Sequence, residues 1–531
     1  MAVRFVSPDP DAYPESGAVE EAYLPSCPAE LLERHGARVL RPADAMVVAG
    51  WPSERSSRFL PTVYRANALL MPAEAWNDGP TRSGIEGVLR DMGLQALTSG
   101  SDLRPAGAPV SLALALLPDA SARTIDAWEV LQRMREASSR ERAGLDPAVV
   151  RRFSLDHLMF TGVGLTGVPW DVTGLGERVN GGRAGGRSRI PVSLPGPAPS
   201  RPALARRPTV LVPDSGTGPH PWLDVYDPSQ GGQSGDEFIV VAPDIQAAIL
   251  ENEKLLASTA PVELLVGHRD GPMTTDALIG EVAADAGHGT FIAGVVRQAA
   301  PRAKVLAVRI VHTDGVAYLS DTLLMLHKAL DRVRAAQKRN GDPDLMIDVI
   351  SFSIGYFEEW PSAAKYTSQL AEVVGKLTER GVVVVAAAGN NATTREFFPA
   401  ALSTRLSGKG PRVVGVGALN PDGSKALFSN EGAYVSCWAD GVCVVSTHPT
   451  DIDGSETPDH HVPALGRKGF DPDCFSSGFA IWDGTSFAAP QAASAVLNAL
   501  IEVAETERTP LTDCTRSATR KRAEAALDLL R

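Results

Sequence analysis

The chain has 531 residues, 44% of them apolar and 21% charged, with a formal net charge of -12. This is the balance of a globular protein long enough for more than one domain. The acidic excess argues against a nucleic-acid-binding surface as its main business.

Residues 1–62 are rich in Pro, Ala, Glu and Arg and carry one predicted helix, over 28–35. No basic stretch followed by an apolar one opens the sequence, as a secretory signal would. Residues 63–160 have a readable rhythm. A short strand over 68–71 is ended by Pro72. Ile85, Val88, Leu89 and Met92 recur at helical spacing, and Gly93 ends that helix. A strand is expected over 95–98. Val110, Leu112, Leu114 and Leu116 alternate as a strand with one buried face. Ile125, Trp128, Leu131 and Met134 predict a second amphipathic helix with Thr124 as its N-cap, and 153–155 a closing strand. The order β-α-β-β-α-β is that of an α+β ferredoxin-like domain.

Residues 161–207 change character. A Gly/Arg run over 180–187 is followed by Pro191, Pro195, Pro197, Pro199 and Pro202. Such a segment reads as a linker, flexible and then stiffer. A cleavage region and a plain tether fit it equally.

From residue 208 to 531, continuous apolar runs alternate with helical stretches. The runs fall at 209–212, 305–311, 347–354, 382–388 and 413–417, with helices expected over 323–338 and 364–380. Strands without polar alternation, separated by helices, indicate an α/β domain: a parallel sheet with helices on both faces. Functional residues in such sheets gather at the carboxyl ends of strands. No apolar run is expected to reach membrane-spanning length, the longest candidate, 382–389, being too short. The cysteines Cys27, Cys437, Cys443, Cys474 and Cys514 are odd in number and scattered, so no disulfide framework is expected, and no CxxC pair supports zinc. These points give the expectation of a cytoplasmic protein, free of membrane.

Four stretches carry chemistry. Asp214 directly follows the run 209–212, within Pro213-Asp214-Ser215-Gly216, where a carboxylate reaches a crevice; alone, an Asx-turn would account for it. His288 stands in Gly287-His288-Gly289-Thr290-Phe291-Ile292-Ala293-Gly294, among small residues that allow close packing around an imidazole; a lone histidine there would ordinarily be a core residue. Asn390 closes Ala387-Ala388-Gly389-Asn390, so its amide donor lies at a strand's end. Ser486 lies in Gly484-Thr485-Ser486-Phe487-Ala488-Ala489-Pro490, at the start of a helical apolar run over 487–501. Unpaired N–H groups and the dipole at a helix N-terminus favour developing negative charge there.

Together these motifs resemble those of the subtilisin-like (subtilase) serine peptidases. Asp-Ser-Gly, Gly-His-Gly-Thr-x-x-Ala-Gly, Ala-Ala-Gly-Asn and Gly-Thr-Ser-x-Ala-Ala-Pro all occur, in the order Asp, His, Ser. The resemblance covers 208–501. It implies Ser486 as nucleophile, His288 as general base and acid, Asp214 as the group that orients the imidazole, and Asn390 in the oxyanion hole. It also implies that Ser353, Ile354 and Gly355 pair with an extended protein or peptide substrate. Phe291 departs from the pattern, since histidine is common there, and so does Pro213. No cofactor is implied, and Asp451-x-Asp453-Gly454 lacks the spacing of a calcium loop. The family's prosegments share the topology expected of 63–160, so that unit is either a prosegment that blocks the cleft or a separate regulatory or substrate-recruiting domain. A catalytically silent fold-mate that binds peptides is the alternative to an active endopeptidase.

Overall fold

The structure is a computed structural model. It describes residues 3–6, 27–41, 59–99, 102–120, 124–140, 144–161, 189–194, 196–231, 235–260, 264–271, 274–276, 281–283, 285–360, 368–406, 408, 410–452, 461–462, 466–468, 474–507 and 509–531.

The first unit comprises β1 (Thr62–Met71), α1 (Gly79–Asp91), β2 (Leu94–Leu97), β3 (Val110–Leu116), α2 (Ala127–Ser139) and β4 (Ser154–Phe160). The strands lie antiparallel in the order β4-β1-β3-β2, with Ala37–Leu40 also paired to β1. Leu69, Met71, Leu112 and Leu114 on one face meet Ile85 and Leu89 of α1 and Leu131 and Met134 of α2. Two expectations need correction here. Asp126, not Thr124, caps α2, its carboxylate accepting from Trp128 N at 3.0 Å. The closing strand runs to Phe160 and all seven of its residues are buried. Ser154, Asp156 and His157 interrupt its apolar pattern, and each of the two charged types has a buried partner: Asp156 accepts from Ser320 N (2.8 Å), and His157 Nε2 lies 2.7 Å from Glu359.

The second unit is built on a nine-stranded sheet. Its principal elements are β5 (Thr209–Asp214), α3 (Pro243–Ala257), α4 (His288–Ala299), β6 (Lys304–Arg309), β7 (Val316–Tyr318), α5 (Leu319–Ala336), β8 (Val349–Phe352), α6 (Gln369–Thr378), β9 (Val383–Ala387), β10 (Val414–Leu419), β11 (Val435–Asp440), α7 (Thr485–Thr506) and α8 (Arg516–Leu529). From β11 the sheet runs β10, β9, β8, β5, β6, all parallel, and continues through Ile239–Val241 to Val225–Tyr226. Val3–Phe5 adds antiparallel to β11. One face packs on α3, α5 and α6 around Ile245, Leu326 and Val374, the other on α4 and α7 around Val295, Ala492 and Leu497. Burial of both faces explains why these strands read as unbroken apolar runs.

The helix α7 corrects the reading that no apolar segment reaches membrane-spanning length. By length and composition it could cross a bilayer, but most of it is buried at the centre of this fold. Within the preceding segment, Ile190–Pro191 pairs with Ala480 and Ile481 of the second unit, and buried Arg206 meets Asp348 at 2.6 Å. The Gly/Arg run over 180–187 falls outside the described residues.

The two units share backbone pairing. β7 leaves the parallel sheet and pairs antiparallel with β4, through Val316 with Phe160 and Tyr318 with Leu158. Leu70 and Met159 of the first unit enter the same apolar cluster as Leu319, Leu323 and Ile249 of the second. Ala68 and Ala113 pack on Leu256 of α3.

Candidate active site

Asp214 is the last residue of β5 and His288 the first of α4. Both are buried, and His288 Nδ1 lies 2.8 Å from Asp214 Oδ1. The same oxygen accepts from Ser215 N at 2.8 Å. With Nδ1–H donating to the carboxylate, Nε2 is the basic end of the ring. Burial opposes charge on His288, but the adjacent Asp214 outweighs it, so the imidazole is more basic than usual. Trp482 stands edge-on to it with centroids 5.6 Å apart, and Phe487 lies at 5.3 Å. Phe291, the departure from the family pattern, packs on both those rings and so extends this apolar wall.

Ser486 is the second residue of α7 and fully buried. Asn390, just beyond β9, approaches it through Thr485: its Oδ1 accepts from Thr485 N (2.9 Å) and Thr485 Oγ1 (2.7 Å). The amide oxygen is the acceptor of both bonds, and the NH2 forms the donor end of the side chain. Ser353 Oγ donates to Ser486 O at 2.8 Å. Ile354 is a core side chain, while Gly355 exchanges both backbone bonds with Phe160 (2.7 and 2.9 Å).

The end of β4 therefore lies in this cleft, an extended strand flanked by β7 and Gly355. Beyond it, Thr161 N donates to Gly315 O at 3.1 Å. Ser486 Oγ donates to the Thr161 carbonyl at 2.7 Å and approaches Ser353 O at 3.2 Å. His288 Nε2 has no hydrogen-bond partner among the described residues, so the Ser486 hydroxyl faces the β4 extension and not the imidazole.

Sequence reasoning missed two carboxylates. Asp270 Oδ2 accepts from Ser215 Oγ (2.9 Å) and Gly287 N (2.8 Å), and Ser215 Oγ in turn accepts from Gly289 N (2.9 Å). This braces the turns that carry Asp214 and His288. Asp285, also buried, accepts from Thr161 Oγ1 at 2.9 Å. The only signal for Asp285 was its place three residues before His288; Asp270 had none.

A model of the Subtilase family matches residues 243–526, more than half of the chain. The chain belongs to that family. It is similar to a thermophilic serine proteinase of Bacillus sp. (strain AK1), 33% identical over 168 residues that cover 32% of this chain and 34% of that protein. It is also similar to subtilisin DY of Bacillus licheniformis, 30% identical over 193 residues, covering 33% of this chain and 60% of that one. The chain thus spans from about a third to three fifths of the length of these relatives. Among solved structures, a lanthipeptide protease aligns at 16% identity with a TM-score of 0.37, covering 61% of this chain and 88% of that one.

Proposed function

We propose that this protein is a serine endopeptidase whose cleft is occupied by its own N-terminal unit. The observation that carries the reading is the hydrogen bond from Ser486 Oγ to the carbonyl of Thr161, a residue presented on a strand paired from both sides. A substrate held by β-augmentation would take the same path.

In the reaction, the Ser486 hydroxyl turns to His288 Nε2 and gives up its proton as Oγ attacks the scissile carbonyl carbon. Asp214 holds the imidazole tautomer and stabilises the imidazolium. The tetrahedral oxyanion is met by the Asn390 amide and the Ser486 N–H at the start of α7. The imidazolium passes its proton to the leaving amine, the C–N bond breaks, and an acyl-enzyme forms. Water, deprotonated by His288, then releases the acid.

The carbonyl that Ser486 reaches is that of Thr161, so a cut is expected just after the paired strand, within the sequence Thr161-Gly162-Val163. Self-cleavage there would sever the first unit, whose departure would open the cleft to substrate and probe. Intact mass before and after a fluorophosphonate probe tests this, beside Ser486→Ala. One adduct on the wild type and none on the variant is expected, with a new N-terminus at Gly162 or Val163 in the wild type alone. No adduct and an uncut chain in both would point to a latent zymogen awaiting a trigger, or to the silent peptide-binding protein.

A further inference from the structure

Thr161 is held at two points. Its N–H donates to Gly315 O, and its hydroxyl donates to Asp285 Oδ1 at 2.9 Å. Asp285 is fully buried, and its own N–H is fixed to Thr313 O at 3.0 Å. Carboxylate and clamp are therefore parts of one rigid wall. Gly315 roofs the contact closely: a Cβ there would lie 2.2 Å from Asp285 Oδ2 and 2.9 Å from Thr161 Oγ1, and its φ is +85°. Only a glycine lets the backbone that grips the substrate pass so near the carboxylate.

We propose that Asp285 is a specificity-determining residue, which selects peptide substrates with a serine or threonine at the position Thr161 takes. The inference rests on the peptidase reading and deepens it. Two physical arguments set the side-chain class. A buried carboxylate that meets an apolar side chain loses a charge-assisted hydrogen bond and stays desolvated, so it rejects valine, which has the shape of threonine without the donor. Thr161 is itself buried, with Gly315 close over its hydroxyl, so a short hydroxyl side chain fits this contact better than a long one.

The test uses the full chain with peptides of the sequence spanning residues 156–164, carrying Thr, Ser, Val, Ala or Lys at the Thr161 position, with cuts mapped by mass. The wild type is expected to favour Thr over Val in kcat/KM by about 10- to 100-fold, and Asp285→Ala to bring that ratio near one. The ratio is read within each variant because Asp285 also acts electrostatically on His288. Equal turnover of Thr and Val peptides, or a preference for Lys, overturns the role of Asp285 and leaves the peptidase reading intact. No cut in any peptide and no probe adduct, even in chain already cut after the paired strand, overturns the peptidase reading itself. A second measurement is independent of catalysis. In the Ser486→Ala chain, Thr161→Val, Asp285→Ala and the pair are compared by urea unfolding. Strong coupling, about 5-fold or more in the unfolding equilibrium, is expected; additive effects overturn the contact.

Discussion

Asp270 shows how a single buried carboxylate ties the site to pH. Burial pushes its pKa up to about 7, against the opposing hydrogen bond from Ser215. An acid with a raised folded-state pKa binds more protons folded than unfolded, so its contribution is present at low pH and is lost as pH rises from about 4 through 7. Both of its hydrogen bonds go to one oxygen, Oδ2. The amide oxygen of an asparagine can accept both. Asp270→Asn should therefore match or exceed the wild type in urea stability at pH 8, by up to about 4 kcal/mol, with a smaller difference at pH 5. A variant much weaker than wild type at pH 8 would mean the charge itself holds the turn. Asp214, His288, Asn390 and Ser486 stood out in sequence because each sits in a short motif with small residues beside it. Asp270 and Asp285 did not, since they act through partners 55 and 124 residues away, and locally only the place of Asp285 three residues before His288 hinted at it.

At the scale of elements, α4 must pass close to the strand Val444–Thr447, and one glycine of the histidine motif makes that approach. A Cβ on Gly294 would lie 2.1 Å from Thr447 Oγ1 and 2.4 Å from Ser446 Oγ. Neither hydroxyl is free to move aside, because Thr447 Oγ1 donates to Thr290 O and Ser446 Oγ to Phe291 O, both at 2.7 Å. Gly294→Ala should thus destabilise by about 1–3 kcal/mol through overpacking, although alanine is the better helix former by ~1 kcal/mol. An unchanged melting temperature would contradict so tight a contact. Elements with one chemical character read well from sequence: the apolar runs of the parallel sheet and the amphipathic helices α1 and α2. The strand β4 did not, because its charged types Asp156 and His157 pair with Ser320 and Glu359 of the other unit. Its seven buried positions therefore never appear as an apolar run.

At the scale of the whole molecule, the two units meet through polar pairs that sense acid. Asp314, beside the clamp, lies 2.6 Å from Arg34 and 3.0 Å from His35, while Glu359 lies 2.7 Å from His157. Burial opposes the charge of both carboxylates, but hydrogen bonds from His35 and Arg34, and the pairing with His157, outweigh it and hold both below the usual carboxylate range. Burial also lowers the pKa of His35, against the pull of Asp314 and with His312 and Arg65 nearby. All three folded-state values are depressed, so the contact is complete at neutral pH and weakens as pH falls. The histidine acts first, below its free value of about 6.5, and the carboxylates below about 4. Burial shields these pairs from salt, so pH and not ionic strength is the effective variable. In the full Ser486→Ala chain, hydrogen exchange of residues 154–161, corrected for intrinsic rates, should quicken between pH 7.5 and pH 4.5. His35→Asn should remove the part of that response that begins near pH 6.5. Exchange that stays constant over this range would mean that the apolar contacts of β4 with Val316 and Tyr318 hold the units together without help from these pairs.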